Sequence, residues 1–417
     1  MRSLLLLTLC TLLACATETE TATEEPVTPT PAINPMIRYQ INAVPAENGS
    51  YTVTPELPED GTVAGGTQLT IRATPAAGYA LDAIYASRKG GPWGFLHDER
   101  FSNETTITVE KDLTIGANFV PAERTENLRV VHDVVYAQPG VKELKYDVFS
   151  PEGAANLPGI VIIHGGGWMS NNEDIMRGLA RELTADGDFV VFSIDYRWVN
   201  EFDGDPEPND MHELIEDVFG AIAHIQEHAA DYGLDPTRLA VTGDSAGGHL
   251  SASAALLAPN IGEGGFGTTE GVYEFRPTYV PTGKSVGQVR KEITSAIRAA
   301  APSYGPFHAD GFEQFVRQTE RGYRDGISPL AHVPNASERA VPMWIVRGAE
   351  DAVVPDAAIQ PFLAKMTAAG QRVEYVEVPG AGHAFFDWKP DAPTRATFEE
   401  TGRTYAAQMR AFFQEVL

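Results

Sequence analysis

Cysteine is almost absent from this chain. Of 417 residues only Cys10 and Cys15 carry a thiol, and both lie ahead of any segment with a folding pattern. Disulfides therefore contribute nothing to the folded part, and cysteine-ligated metal is excluded there. Positive charge is scarce too. The 31 Lys and Arg residues face 57 Asp and Glu, a formal net charge of −26. Such a surface repels nucleic-acid phosphates and disfavours binding to anionic lipid. A long apolar run is also missing. The stretch Leu4 to Ala14 is too short for a stable membrane span. With 43% hydrophobic residues, however, a sizeable core is available, and the length leaves room for two or three domains.

One basic residue, Arg2, precedes that apolar stretch, so residues 1–14 read as a secretory signal peptide. Leu12-Leu13-Ala14-Cys15 resembles a bacterial lipobox, which implies lipidation at Cys15 and a lipoprotein of the cell envelope. Ordinary cleavage near Ala14 or Ala16 would give a secreted or periplasmic protein instead. Residues 15–35 are rich in Thr, Glu, Ala and Pro. They cannot bury enough surface to offset chain entropy and read as a lipid-anchored tether.

Residues 36–121 alternate polar and apolar in short runs such as Ile37-Arg38-Tyr39-Gln40-Ile41 and Leu69-Thr70-Ile71-Arg72-Ala73. Turn signals, Asn48-Gly49 and Gly65-Gly66, separate the runs, so a small all-β domain is expected. Thr74-Pro75-Ala76-Ala77-Gly78-Tyr79 and Ile115-Gly116-Ala117-Asn118-Phe119 resemble the bacterial internalin-type B-repeat module, present here once. A spacer or docking domain is the expectation. A carbohydrate-binding role would rest on Trp93 alone.

From residue 122 to 417 strand patterns alternate with helical ones, which implies a mostly parallel sheet covered by helices on both faces. The apolar run Leu239-Ala240-Val241 leads into Gly243-Asp244-Ser245-Ala246-Gly247-Gly248, and a small-residue helix follows. That strand–turn–helix context lifts Ser245 above the sheet edge and aims the Ala246 amide at a developing oxyanion. Upstream, Ile160-Val161-Ile162-Ile163 runs into His164-Gly165-Gly166-Gly167-Trp168, whose Gly165 and Gly166 amides are expected to complete the oxyanion hole. Downstream, Asp351 and His383 each follow a strand. The chain order Ser, Asp, His differs from that of the trypsin and subtilisin types. Glu350 and Asp356 are rival acids, with Asp351 preferred because it lies one step past the strand-end turn.

These landmarks, with Ser193-Ile194-Asp195-Tyr196-Arg197, Ser328-Pro329-Leu330, Asp351-Ala352-Val353-Val354-Pro355 and Gly382-His383-Ala384-Phe385, resemble the esterase/lipase branch of the α/β-hydrolase superfamily. The nearest groups are the hormone-sensitive-lipase-like esterases and the bacterial acetylxylan/feruloyl esterase-like enzymes. The resemblance implies an α/β-hydrolase fold after a small all-β domain, and a Ser245–His383–Asp351 triad acting through an acyl-enzyme. It implies no metal and no cofactor. It leaves Asp195-Tyr196-Arg197 structural, and the departure at Arg347, which stands where a histidine is expected, touches no catalytic role.

The rings Trp168, Trp198, Phe386 and Trp388 follow strands at the catalytic edge and are expected in the substrate pocket. They favour short acyl or hydroxycinnamoyl esters, carried by a small molecule or a polysaccharide. The insertion between Ala258 and Ile293 is expected to overhang the site. The helix Met211 to Ala230 is expected to expose Asp217, His224, Glu227 and His228, so its His224…His228 spacing reads as a surface pattern and not a zinc site. The acidic loop Glu201 to Asp210 is likewise expected to be solvated. The alternatives are a serine peptidase on the same fold, or a non-catalytic surface-binding protein with the β domain as adhesin. A chain starting near Ala122 is expected to keep its activity on small esters.

Overall fold

The computed structural model describes residues 35–89, 95–264 and 274–417. The signal segment, Cys15, the tether to residue 34 and Trp93 lie outside the described residues. No helix among those described is long and apolar enough to cross a membrane.

The first unit is all β. Its strands are β1 (Arg38–Ala43), β2 (Gly49–Thr54), β3 (Thr62–Ala64), β4 (Gln68–Pro75), β5 (Tyr79–Lys89), β6 (Phe95–Arg100), β7 (Glu104–Thr108) and β8 (Leu113–Pro121). They form two sheets, ordered β3-β1-β8-β5-β6 and β2-β4-β7. The period of two places Leu69, Ile71 and Ala73 of β4 inward, where they meet Ile41, Ile84, Val109 and Ile115. In β5 the pairing with β8 slips between Leu81 and Ala83, leaving Asp82 at a bulge.

The second unit begins at β9 (Leu128–Ala137) and continues with β10 (Leu144–Pro151), β11 (Leu157–Ile163), β12 (Val190–Ile194), β13 (Leu234–Asp244), β14 (Ile297–Ser303), β15 (Met343–Gly348) and β16 (Val373–Val378). Their order is β9-β10-β12-β11-β13-β14-β15-β16. β10 runs antiparallel to β9 and β12, and the remaining pairs are parallel.

The central strands are apolar throughout because both faces are covered. Val161 and Ile163 of β11 point to the layer of helices Met211–Glu227, Ala246–Leu257, Val286–Ala296 and Asp356–Ala368. Ile160 and Ile162 point to helices Arg177–Thr184 and Arg403–Val416, beside Leu179, Leu183, Met409 and Phe413. Because β11, β13, β14, β15 and β16 are parallel, their carboxyl ends share one edge of the sheet, the edge where ligands bind in open α/β sheets.

Three segments differ from expectation in the residues described. Asp217 is fully buried and takes a two-point ion pair from Arg197, with 2.9 Å contacts from Nε and Nη2. The described part of the insertion packs on helix Met211–Glu227 and not over the catalytic edge. Phe275 meets Phe219 edge-on at 5.8 Å, and the hydroxyls of Thr278 and Tyr279 bond to Asp217 and Glu227. In the acidic loop, Asp205 turns inward to accept the Val141 amide at 2.6 Å, and Asp203 accepts that of Trp198 at 2.5 Å. Burial raises the Asp203 pKa to about 6, against the opposing pull of Lys142.

The two units are not merely strung together. Val120 at the end of β8 joins the apolar layer that holds Leu179 and Trp388. Phe101 stacks on His132 at 3.6 Å. The largest polar contact between them runs from Asp82 and Glu99 to the buried Arg177.

Candidate active site

Ser245 sits at the turn between β13 and helix Ala246–Leu257 with φ +52° and ψ −114°. This is a strained backbone for a residue with a Cβ, and it is held by close packing. A Cβ on Gly243 would run into the carbonyl oxygens of Ile163 and Gly247, and one on Gly247 into those of Ile163 and His164. Only glycine at both positions lets the turn nest against β11. The Ser245 amide is fixed by the Ser303 carbonyl of β14 at 2.9 Å.

The structure brings Ser245, His383 and Asp351 together. His383 Nε2 lies 2.8 Å from Ser245 Oγ, and His383 Nδ1 lies 2.7 Å from Asp351 Oδ2. The other Asp351 oxygen accepts the amides of Val353 and Val354 at 2.8 and 2.9 Å. Burial works against its charge, but the His383 bond and these amides outweigh it and hold the carboxyl below its ordinary pKa. Glu350 is exposed, and Asp356 is engaged by Tyr375 and Gln360. Arg347 turns out to have a task. Its guanidinium bonds to the carbonyls of Val354 at 2.8 Å and Asp351 at 3.1 Å, which pins the turn carrying the acid.

Beside the serine, Gly166 and Gly167 have φ of +124° and +61° and line the cleft. A Cβ on Gly166 would collide with the Ser170 carbonyl. Gly165 does not face the cleft. Its amide donates to Asp244 Oδ1 at 2.6 Å and is therefore spent on holding the loop to the residue before Ser245. Gly167 is the backbone position that sequence reasoning passed over. Ala246 opens its helix, so its amide is one of the first-turn donors with no acceptor inside the helix. The base of the glycine loop is fixed by His164, whose Nε2 meets Asp195 Oδ1 at 3.1 Å and whose carbonyl accepts the Tyr196 hydroxyl at 2.8 Å.

The cleft over Ser245 has a volume of about 440 Å³. Trp168, Phe312, Phe315, Val353 and Val354 supply its apolar lining, and Asn171, Gln314, Asp387 and Lys389 are among its polar lining. Trp168 is the one ring of the four expected that lines it. It is held by donating to His249 Nδ1 at 3.3 Å and by tilted contact with Phe312 at 4.7 Å. His249 is fully buried, and burial lowers its pKa to about 4, so it stays neutral and able to accept. The other three rings point elsewhere. Phe386 is fully buried under Tyr304, and Trp198 donates to the Asn171 carbonyl at 3.2 Å beneath Lys142. Trp388 donates to Asp82 of the β domain at 2.9 Å. The wall from Pro306 to Phe315 carried no signal, since the segment has no apolar period. No described residue of the 258–293 insertion is among those lining the cleft.

Asp244 and Asp387 both line the cleft, and their carboxyl groups meet. Burial first, then the Asp387 carboxyl, pushes the Asp244 pKa well up, against the Gly165 amide and Lys389. Lys389 Nζ is 2.8 Å from Asp387. Away from the cleft, the oxygens of Asp147, Glu173 and Asp174 lie within 4.8 Å of one another, the one set among the described residues arranged as metal ligands are. Burial first, then neighbouring carboxylates, chiefly Asp195 for Glu173 and Glu99 for Asp174, push both pKa values well above the ordinary range. His224, of the histidine pair, is tied to the Tyr146 hydroxyl at 2.9 Å.

Residues 160–387 match the family described as alpha/beta hydrolase fold, and residues 39–123 match the one described as divergent InlB B-repeat domain. Carboxylesterase NlhH of Mycobacterium tuberculosis is 36% identical over 143 residues, 34% of this chain and 42% of the relative. Esterase LipQ of Mycobacterium tuberculosis is 27% identical over 303 residues, covering 68% of this chain and 64% of the relative. The chain thus spans less than two thirds of the length of either. Among solved structures, a truncated form of a carbohydrate esterase from gut microbiota superposes with a TM-score of 0.51 at 23% identity, over 69% of this chain and 95% of that one. That likeness is one of fold.

Proposed function

The chain belongs to the alpha/beta hydrolase fold family, and from that premise we propose that it is a carboxylic ester hydrolase with Ser245 as its nucleophile. The observation that carries this is His383 bridging Ser245 and Asp351 at 2.8 and 2.7 Å beneath an open cleft. Ser245 Oγ attacks the ester carbonyl while His383 Nε2 takes its proton. Asp351 keeps the Nδ1 proton in place and stabilises the imidazolium. The oxyanion is received by the amides of Gly166, Gly167 and Ala246. His383 then gives its proton to the leaving alcohol, and water releases the acyl group from Ser245 by the reverse steps.

The mixed apolar and polar lining of the cleft supports a substrate with a compact acyl group and a hydroxyl-rich alcohol. The acyl part lies against Trp168, Phe312 and Phe315. The alcohol faces Asn171, Asp387 and Lys389, groups that bond to hydroxyls. Short acyl or hydroxycinnamoyl esters of a polysaccharide meet that description. A panel of p-nitrophenyl acetate, butyrate and palmitate, methyl ferulate and acetylated xylan, with Ser245→Ala as control, tests it. Preference for palmitate over acetate and ferulate would overturn the substrate assignment. Export and anchoring through Cys15 are proposed on the N-terminal sequence alone. Mass spectrometry of the N-terminus of membrane-extracted protein checks them, and an unmodified Cys15 refutes the anchor.

A further inference from the structure

Asp82 belongs to the β domain, yet its carboxylate lies under the loop that carries His383. The bulge in β5 turns it out of the domain, the usual effect of an extra residue in one strand of a pair. Oδ1 accepts from Arg177 Nε at 3.0 Å and from Arg181 at 2.8 Å. Oδ2 accepts from Arg177 Nη2 and from Trp388 Nε1, both at 2.9 Å. Glu99 of β6 closes the network with bonds of 2.9 and 2.7 Å to the same Arg177. Two acids thus face two guanidinium groups, with Asp82, Glu99 and Arg177 nearly inaccessible to water. Burial opposes the charge on Asp82, but Arg177 and Arg181 hold its carboxyl well below the ordinary range.

Trp388 follows His383 by five positions. Its ring lies on Gly178, where a Cβ would come within 2.9 Å of it, with the Arg181 guanidinium 5.0 Å away and the edge of Phe398 at 5.4 Å. Its amide bonds to the Ile175 carbonyl at 2.8 Å. Its neighbours Asp387 and Lys389 line the cleft. Two positions on, the Pro390 carbonyl accepts the side-chain amide of Asn118, a second hold from the β domain, at 3.1 Å. At the other end of the loop, Tyr304 meets the His383 ring at 4.9 Å and binds the Phe386 amide at 3.2 Å. The loop is therefore held at its cleft end by the hydrolase and at its far end by the β domain.

A buried ion network is weak evidence for stability, because apolar packing can replace it without loss. What it supplies here is direction: four guanidinium nitrogens of Arg177 and Arg181 fix one carboxylate, and the carboxylate fixes the indole. We propose that Asp82 is a positioning residue for His383, acting through Trp388, so that the β domain is a structural part of the active centre. This rests on the reading of Ser245 and His383 as the reacting pair.

The test uses the full chain with Asp82→Leu, Trp388→Phe and Glu99→Gln. Trp388→Phe keeps a ring over Gly178 and removes the N–H together with part of the ring area that packs on Arg181 and Phe398. Glu99→Gln weakens the same interface but does not touch Trp388. Measurements are kcat and KM on p-nitrophenyl acetate, the rate of fluorophosphonate labelling at Ser245, and Tm. Displacing a reacting group by a fraction of an ångström costs on the order of 10- to 100-fold. The expected result is a fall of that size in kcat and labelling rate for Trp388→Phe and Asp82→Leu, with KM within about twofold. Glu99→Gln should lower Tm while kcat stays close to wild type. If Asp82→Leu does not fold, Trp388→Phe decides. Wild-type kcat in Trp388→Phe, or a kcat that tracks Tm equally in all three variants, overturns the proposal and leaves the esterase reading standing. A wild-type chain that hydrolyses no ester and takes no fluorophosphonate overturns both.

Discussion

The Gly165 amide is bonded to the Asp244 carboxylate at 2.6 Å, so the residue just before Ser245 anchors the loop just beside it. The two halves of the proposed oxyanion pocket follow different strands, β11 and β13, and this bond ties them together. Asp244→Ala would leave a buried amide without an acceptor, at a cost of about 1–3 kcal/mol, and release the glycine loop. Its kcat on p-nitrophenyl acetate should fall about 10- to 100-fold with a smaller change in KM. Asp244→Asn keeps an acceptor and should recover most of the loss. Equal rates in both variants would show that the clamp does not matter.

Removing either end of the proton path should be far more severe. Ser245→Ala or His383→Ala is expected to lower kcat by roughly 10⁴-fold or more while leaving the fold intact. Circular dichroism and steady-state kinetics check both parts. Hydrolysis within tenfold of wild type in the Ser245 variant would falsify the nucleophile assignment.

His249 makes stability depend on pH. Burial lowers its pKa from 6.5 to about 4, so the unfolded chain binds a proton that the folded chain refuses. Its contribution is complete above pH 6.5 and is lost as pH falls toward 4, an effect on the order of 3 kcal/mol. His249→Gln removes this titration, so Tm should fall less steeply over that interval than in wild type. Parallel Tm curves for the two proteins would refute it.

A chain starting at Ala122 loses Asp82, Glu99 and Val120 together. Arg177 is then stripped of both carboxylates, and the apolar layer around Leu179 and Trp388 is opened. The position of every catalytic motif after residue 122 suggests that such a chain stays active; the contacts argue the reverse. It is expected to be poorly soluble, or soluble with kcat reduced at least about tenfold. Purification and kinetics of that truncation settle the matter, and full activity would show the interface to be dispensable.

What the sequence made legible was whatever depends on local backbone chemistry. Apolar runs with no polar face marked β11, β12 and β13 as strands buried on both sides. Glycines at 243 and 247 marked a turn too tight for any Cβ, which placed Ser245. Asp351 and His383 stood past strand ends, and parallel strands bring their ends to one edge. Directions set by distant partners were not legible. Gly165 looks like its glycine neighbours until Asp244 takes its amide. Trp388 looks like a cleft residue until Asp82 arrives from over 300 positions away. Asp217 lies opposite the apolar stripe of its helix, as a solvated acid would, but Arg197 and Thr278 meet it there. The wall from Pro306 to Phe315 is built of short turns, and irregular backbone leaves no period to read.

The bulge at Asp82 also bears on how such a chain can be reshuffled. Units joined by a slack linker can be exchanged one at a time, because neither depends on the other's side chains. Here the charges of a single network are divided between them, acids on one side and guanidinium groups on the other. A foreign module without carboxylates at those two places would bury Arg177 uncompensated, a loss of about 3–5 kcal/mol, before any change at the cleft. A productive graft has to carry Asp82 and Glu99 with it, or replace Arg177 in the same step, so the two units are transferable only as one cassette.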